Sequence, residues 1–186
     1  MKALTTSLSA AALATLSAAA AAQISSHADH HAAEDAMMNT PKSIAAEHRE
    51  LHIVLERATK EPGAVGATAR KLEAALSPHF RREEEIATPP LGLLQRLATG
   101  EVTPEMTAVL PLTEALEREL PQMLREHQAI RAAVTEFRAA AVTAGRTDYV
   151  RFSDELAAHA REEEEVLYPA AVLVGRYVAR TAPGKK

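Results

Sequence analysis

The sequence reads HFRREEE at residues 79–85 and HAREEEE at residues 159–165. Both stretches place a histidine four residues before a glutamate, which on an α-helix is a separation of about 400° of rotation and about 6 Å of rise. The imidazole and the carboxylate therefore share one helix face. Two such faces can share a metal ion, and the recurrence is an internal repeat that determines the architecture.

The repeat extends upstream of both stretches. EHREL at residues 47–51 precedes the first stretch, and EHQAI at residues 126–130 precedes the second. The histidines of these upstream segments are 79 residues apart, and those of the HxxxE stretches are 80 residues apart. The sequence therefore predicts that one pair of helices is used twice.

The composition favours helix over sheet. Of the 186 residues, 47% are hydrophobic but only 3% are aromatic, and Ala and Leu are helix formers whereas aromatic and β-branched residues prefer strands. The net charge of −4, with arginine and glutamate interspersed along the chain, does not indicate a surface for nucleic acid or anionic membrane. There is no cysteine, which excludes disulfides, thiolate metal ligands and thiol catalysis. Any metal must be held by imidazole and carboxylate.

Residues 1–22 have the pattern of a targeting segment. A basic start leads into an Ala-rich apolar stretch that closes on small residues before Gln23. This pattern predicts a secretory signal peptide cleaved after about Ala22, because roughly fifteen apolar residues is short for a membrane span. We expect an exported, periplasmic protein with no stable membrane insertion after cleavage.

Residues 23–39 are interpreted as a flexible leader, since they show no helical periodicity of apolar residues. The leader contains three histidines, His27, His30 and His31. A histidine-rich tract of this kind can also scavenge metal.

Four amphipathic helices are expected in the rest of the chain. Capping and breaking residues place them at about residues 40–59, 65–87, 103–145 and 147–169, with a further helical segment to about residue 179. Thr40 is expected to cap the first helix, and Pro169 is expected to kink or end the fourth. The predicted fold class is all-α, an antiparallel up-down four-helix bundle built from two pseudo-repeated helix pairs. This bundle would span residues 40–180, followed by a polar tail at 181–186.

The motif residues lie on the helix stripes that must face inward. An ionised carboxylate buried without a partner costs several kcal/mol, so Glu83 and Glu163 need a counter-charge, and a bound iron, manganese or zinc ion supplies it. The candidate metal ligands are His48, His79, Glu83, His127, His159 and Glu163, with His52 as a seventh candidate. The other glutamates of the two runs are expected to form a solvated face. Tyr168 lies about 180° from His159 on an ideal helix, so we expect it to serve in packing or at the surface.

On these residues the chain resembles the hemerythrin-like family, also called the HHE cation-binding domain. The resemblance covers about residues 41–170, and the motif H…HxxxE…H…HxxxE is present on all four expected helices. The competing ferritin-like fold uses ExxH pairs, which are absent from the corresponding places. The resemblance implies a non-haem centre of two iron ions, bridged by both motif glutamates, that binds O2 or a related small ligand such as peroxide. It also implies a dry apolar lining, formed by Leu51, Leu76, Leu124, Ile130 and Leu156.

The oxygen-carrying members of that family have five histidines, with an HxxxH on the third helix and an aspartate on the fourth. Here Arg131 stands in place of the second histidine and Glu163 in place of the aspartate, whereas His48 and His52 form an HxxxH on the first helix. Ligation by His52 would restore the count of five histidines, with the roles of the two irons exchanged. Without it, both irons keep an open position, which favours peroxide, nitric oxide or redox chemistry.

The leading hypothesis is a di-iron protein that binds O2 or a related small molecule as a carrier, scavenger or sensor rather than as a classical enzyme. One alternative is a di-iron oxidoreductase acting on peroxide, O2 or nitrogen oxides. Another is an iron storage or delivery protein, for which the histidines of the leader would be relevant. A metal-free interaction module ranks last, because it would leave two buried glutamates without partners.

Overall fold

The computed structural model describes residues 40–182. The expected signal peptide and leader, and all but the first two residues of the expected tail, lie outside this range. Within it the chain contains no β-strand. The α-helices are α1 (Lys42–Thr59), α2 (Gly63–Ile86), α3 (Leu94–Ala98), α4 (Leu110–Thr143), α5 (Thr147–Glu162) and α6 (Tyr168–Thr181). Two 3-10 segments, Pro89–Leu93 and Pro104–Val109, and a π-helical turn, Glu163–Leu167, complete the helical structure.

Short turns separate α1 from α2 and α4 from α5, whereas residues 87–109 connect α2 to α4. Gly63 and Gly145 both have φ of +68°, a left-handed conformation that glycine adopts without strain. The start of α1 differs from expectation, because Pro41 occupies the capping position and no side chain caps the helix. Thr40 instead forms a 2.8 Å hydroxyl–hydroxyl hydrogen bond with Thr88. The bond ties the start of α1 to the segment that follows α2.

Several prolines lie within the α-helices without ending them. Pro78 and Pro121 lie inside α2 and α4, which continue through them even though an interior proline costs about 3 kcal/mol. Pro169 lies in the first turn of α6, where its missing N–H has no helical partner to lose. The helix does not end there. The irregularity is the π turn just before Pro169, and the helical run continues from residue 147 to residue 181.

The four long helices α1, α2, α4 and α5 pack side by side, as in a four-helix bundle. Helix α1 contacts α2 and α5, and α4 also contacts α2 and α5, so the four close into a ring. In the contacts between α2 and α4, the residue number on α4 falls as the residue number on α2 rises. Lys71 lies 3.2 Å from Glu136, and Arg82 lies 2.6 Å from Glu119. Among residues 40–182, no helix is long and apolar enough to cross a membrane.

The inward faces of these helices form the core. Leu72 on α2, Phe137 on α4 and Tyr149 on α5 are completely buried. Four of the five expected lining residues are buried, but the expectation for Leu124 is wrong, since it is 36% exposed. Met123 takes the inward position. It lies four residues before His127, which places it about 40° from that histidine around the helix. Leu124 lies three residues before His127 and is about 60° away on the other side.

Candidate metal centre

The six motif residues meet in the middle of the bundle, and none is more than 2% exposed. They come from four helical runs: His48 from α1, His79 and Glu83 from α2, His127 from α4, His159 from α5 and Glu163 from the start of the π turn. Both HxxxE pairs stack as their spacing predicts. The Nε2 atom of His79 lies 3.4 Å from Glu83, and that of His159 lies 2.8 Å from Glu163.

The ligand-type atoms form two groups that share one carboxylate. One group consists of His79, Glu83, His127 and Glu163, and the other of His48, His159 and Glu163. Within each group the ligand atoms lie within 4.8 Å of one another. Glu163 joins the groups, because its Oε1 lies 2.8 Å from His159 and its Oε2 lies 3.2 Å from His127. Two neighbouring cations with a shared carboxylate fit this arrangement.

The inward-facing atoms are not satisfied by the protein. Several buried side-chain atoms have no hydrogen-bond partner within residues 40–182: Nε2 of His48, His79 and His159, Oε2 of Glu83 and Oε1 of Glu163. A buried polar atom without a partner costs about 1–3 kcal/mol. Because all five atoms carry lone pairs and converge on one place, the donor set fits a cation such as iron, manganese or zinc.

Each motif histidine has a carboxylate behind it, on the side away from the centre. The Nδ1 atoms face glutamates on neighbouring helices, at 2.7 Å for His127 and Glu164, 2.9 Å for His79 and Glu126, 3.2 Å for His159 and Glu47, and 3.4 Å for His48 and Glu84. Three of these contacts are hydrogen bonds, whereas the His159 contact is close in distance only. Such partners hold the ring so that Nε2 is free to bind metal.

These four carboxylates form a closed circuit around the bundle. In each pair the glutamate and the histidine come from different helical segments. Glu84 of α2 faces His48 of α1, Glu126 of α4 faces His79 of α2, Glu164 of the π turn faces His127 of α4, and Glu47 of α1 faces His159 of α5. Glu84 is exposed, in keeping with the expected solvated face, but Glu84 and Glu164 each also face a histidine, which the sequence pattern did not predict. Arg131, which stands where oxygen carriers have a histidine, lies 2.8 Å from Glu164 and helps to hold it.

The electrostatics of the metal-free site favour protonated histidines. Burial lowers the pKa of His79, but the Glu83 carboxylate, 3.4 Å away, outweighs it and raises the pKa to about 9. Glu163 has the same effect on His159, whose pKa is also raised to about 9 against the effect of burial. A metal ion must displace these protons, because only neutral imidazole is a ligand.

The two buried carboxylates have pKa values shifted in opposite directions. Burial raises the pKa of Glu83, and the charge of Glu163 adds to this, against the attraction of the nearby His79 imidazole. Burial also acts to raise the pKa of Glu163, but the imidazoles of His127, His159 and His48, which lie 3.2, 2.8 and 3.5 Å from its oxygens, outweigh it and hold that pKa well below its usual range. Glu163 therefore carries the negative charge of the metal-free centre.

Tyr168 packs in the core, as one of the two expectations had it, and it also contacts the motif residues, which was not expected. It is 2% exposed, its hydroxyl donates a hydrogen bond to Glu83, and the same oxygen lies 3.3 Å from Nε2 of His127. The cause is the π turn, which adds one residue to the helix between His159 and Tyr168. With that extra residue the two side chains lie about 80° apart instead of about 180°. Nothing in the helical periodicity of the sequence indicates the π turn.

His52 is not brought into either group of ligand atoms. It is half-buried, and its ring meets Phe80 edge-on at 5.1 Å between ring centroids. The same phenyl ring stacks on His48 at 4.5 Å and lies 5.8 Å from the His159 ring. Phe80 is thus in contact with both His48 and His52. Ligation by His52 stays a prediction.

Comparison with known proteins agrees with the geometry. The model of the hemerythrin HHE cation-binding domain matches residues 41–171, a range that contains both ligand groups and the four supporting carboxylates. No curated protein and no solved structure matches the chain. From its four-helix core, its buried cluster of histidines and glutamates, and a match over well more than half its length, the chain belongs to the hemerythrin HHE cation-binding domain family.

Proposed function

We propose that the chain is a non-haem di-iron protein that binds O2 or a related small molecule, acting as a carrier, scavenger or sensor rather than as a classical enzyme. The observation that carries this proposal is the pair of buried ligand groups joined by Glu163, whose inward atoms lack partners in the protein. Membership of a cation-binding family adds support, and imidazole with carboxylate is a donor set that suits iron.

The proposal assigns a role to each part of the centre. His79, Glu83, His127 and Glu163 would hold one ion, while His48 and His159 with the shared Glu163 would hold the other. Bound iron would supply redox chemistry and open coordination positions for a small ligand. The chain supplies neutral imidazoles, two carboxylates that balance the metal charge, and an apolar lining that slows the exchange of water and bound ligand.

An antiparallel up-down topology, descended from a duplicated helix pair, is part of the same proposal. The descending contacts between α2 and α4 support it, since Lys71 near the start of α2 meets Glu136 near the end of α4. The recurrence of Glu-His and HxxxE segments at spacings of 79 and 80 residues supports the duplication. In each copy, the upstream histidine lies beside the glutamate run of the same helix pair.

The proposed location is the periplasm, after removal of residues 1–22. The support is the Ala-rich apolar start of the sequence. Intact-mass measurement of the protein recovered from the periplasmic fraction tests this directly. A mature chain that begins at Gln23 is the expected result, whereas a full-length chain in the cytoplasmic fraction would contradict it.

The function is tested by the metal content and optical spectrum of the untagged mature protein. We expect two irons per chain and a charge-transfer band that forms when O2 is added to the reduced protein and disappears when O2 is removed. Glu163→Gln should lower the iron content, because it removes the charge of the shared ligand, while Glu165→Gln at the exposed neighbour should not. A wild-type protein with no bound transition metal would overturn the proposal.

An oxidoreductase is the second candidate, and one observation favours it. Among residues 40–182, the group of His48, His159 and Glu163 offers three protein ligands, which leaves more than one position of a six-coordinate iron for exogenous molecules. Rapid, irreversible oxidation of the reduced protein together with multiple turnovers of hydrogen peroxide or nitric oxide would favour this candidate over reversible binding.

A further inference from the structure

We infer that Tyr168 is an additional metal ligand, which donates its phenolic oxygen to the ion held by His79, Glu83, His127 and Glu163. The inference rests on the proposed function, since it requires the metal. It adds a fifth protein donor to one group and none to the other. The two metal positions would then differ in their chemistry although the ligand motif is repeated.

The position of the hydroxyl oxygen has the geometry of a ligand. Two donor atoms that each lie about 2.0–2.2 Å from one ion, at about 90–110° to each other, are about 2.8–3.6 Å apart. The motif ligands show this spacing, with 3.2 Å between Nε2 of His127 and Oε2 of Glu163. The Tyr168 oxygen lies 3.3 Å from the same Nε2 atom and is hydrogen-bonded to Glu83 on its other side. It therefore lies among the donor atoms of this group.

The surroundings of Tyr168 hold it in this position. Its ring stacks on His127 with centroids 5.7 Å apart and an interplanar angle of 21°. It also belongs to a buried apolar cluster with Ile86, Leu116 and Met123. A side chain packed in this way loses little further conformational entropy when it binds a metal ion. The phenol is thus preorganised towards the ligand group.

The backbone after the inward glutamate is similar in both copies of the repeat. The N–H of Tyr168 donates to the carbonyl of Glu163, five residues before it, and the N–H of Thr88 donates to the carbonyl of Glu83 at 3.0 Å in the same way. Single π turns of this kind are frequent at functional sites. The copies differ in the side chain that the turn presents: Thr88 bonds to Thr40, whereas Tyr168 brings a phenol to the ligand group.

Coordination is consistent with the charges in the site. In the metal-free protein the Tyr168 hydroxyl keeps its proton, which it donates to Glu83 in a hydrogen bond. Binding to iron(III) releases one phenolic proton to solvent and forms one oxygen–iron bond, with no change of oxidation state. The phenolate would join two carboxylates, and three negative oxygens match the charge of the trivalent ion.

The functional consequence is that the two ions would have different roles. The group with Tyr168 has five protein donors, whereas the group of His48, His159 and Glu163 has three. The small ligand would then bind at the three-donor position. Phe80 lies against both histidines of that position, so an apolar ring would line the place where the ligand binds.

Visible absorption and resonance Raman spectra of the iron(III)-loaded full chain test the inference. Tyrosinate bound to iron(III) gives a charge-transfer band and resonance-enhanced ring vibrations that carboxylate and imidazole do not give. The chain has three tyrosines. The expected result is a tyrosinate band in the wild type, in Tyr149→Phe and in Tyr177→Phe, and its loss in Tyr168→Phe at an unchanged iron content.

A double variant, Tyr149→Phe with Tyr177→Phe, covers the case in which Tyr168→Phe does not fold. It leaves Tyr168 as the only tyrosine, so a retained band supports the inference and a lost band overturns it. Two irons per chain in the wild type without any tyrosinate band would overturn the inference and leave the proposed function intact. A chain that binds no iron would overturn both.

Discussion

The four carboxylates behind the motif histidines should control metal affinity in a graded way. Replacing a carboxylate that supports a metal-bound histidine typically costs about 10–100-fold in affinity, or about 1.4–2.7 kcal/mol. Glutamine keeps the shape of the side chain and still accepts a hydrogen bond from Nδ1, so it removes mainly the charge. The variants are Glu164→Gln, Glu126→Gln, Glu47→Gln and Glu84→Gln.

The structure ranks these four variants. The carboxylate–imidazole distances are 2.7, 2.9, 3.2 and 3.4 Å, and the carboxylate side chains are 25, 36, 47 and 52% exposed, in the order Glu164, Glu126, Glu47 and Glu84. Short contacts to charged acceptors are the strong ones, and exposure to solvent weakens them. Distance and exposure give the same order. We therefore expect a loss near the 100-fold end for Glu164→Gln and near the 10-fold end for Glu84→Gln.

An anaerobic titration with iron(II) against a competing chelator measures these affinities, and thermal unfolding of each metal-free variant checks that the bundle is intact. Glu165→Gln is the matched control for the loss of one negative charge, since Glu165 is an exposed neighbour of Glu164. Arg131→Gln separates the second contact of Glu164 from its contact with His127. If all four variants bind iron as Glu165→Gln does, or if Glu84→Gln has the largest effect, the reasoning is refuted.

Stability and ligand exchange provide three more tests. In the metal-free protein the pKa of His79 and of His159 is about 9, above the unfolded value of about 6.5. Their contribution to stability is therefore complete below about pH 6.5 and is lost as the pH rises through about 9. Over this range the free energy of unfolding measured with urea should decrease by at most about 3 kcal/mol per histidine. An increase would contradict the ion pairs. Phe80→Ala should lower the free energy of unfolding by about 3–5 kcal/mol and accelerate azide exchange in stopped-flow measurements, because it opens space beside the histidines. Gly175→Ala should cost about 1–3 kcal/mol, since its Cβ would lie 2.1 Å from Oγ1 of Thr113, and an unchanged melting temperature would contradict this close approach.

The all-helical fold and the cluster of motif residues follow from two sequence periods. The helical period of about 3.6 residues placed the motif histidines and glutamates on inward faces, and each of the six is buried. The repeat of about 80 residues indicated that two such faces are related, which predicted that the HxxxE pairs would converge. The match over residues 41–171 confirms the family that these residues resemble. Ligation itself, the identity of the metal and the role of His52 stay predictions.

The errors have physical causes that a periodic pattern does not contain. Leu124 and Met123 are adjacent apolar residues on either side of the same stripe, and the choice between them depends on how α4 packs. Glu84 and Glu164 follow the inward glutamates by one residue, about 100° around the helix, and this offset predicts a mostly solvated face. On a bundle helix that direction lies at the border with the neighbouring helix, so each carboxylate reaches a histidine there even though Glu84 stays 52% exposed.

The two motif segments share their supporting carboxylates but differ at two positions beside the motif residues. All four supporting carboxylates occupy equivalent places in the sequence, one beside each upstream histidine and one beside each inward glutamate. Among the positions where the segments differ, two contact the motif histidines or follow them closely. Phe80, which covers His48, corresponds to Ala160, and Thr88, which ties α1 to the end of α2, corresponds to Tyr168.

Each difference changes one side of the centre only. A phenyl ring makes the surroundings of His48 and His159 apolar, while a phenol adds an oxygen donor beside His79 and His127. A symmetric cage with two equal irons would bind a small ligand equally well at either ion. Because these two positions lie outside the set of supporting carboxylates, differences there would distinguish the two proposed metal positions without weakening the support of the histidines. The variants at residues 80 and 168 should therefore change spectra and ligand exchange, while those at residues 47, 84, 126 and 164 should change affinity for the metal itself.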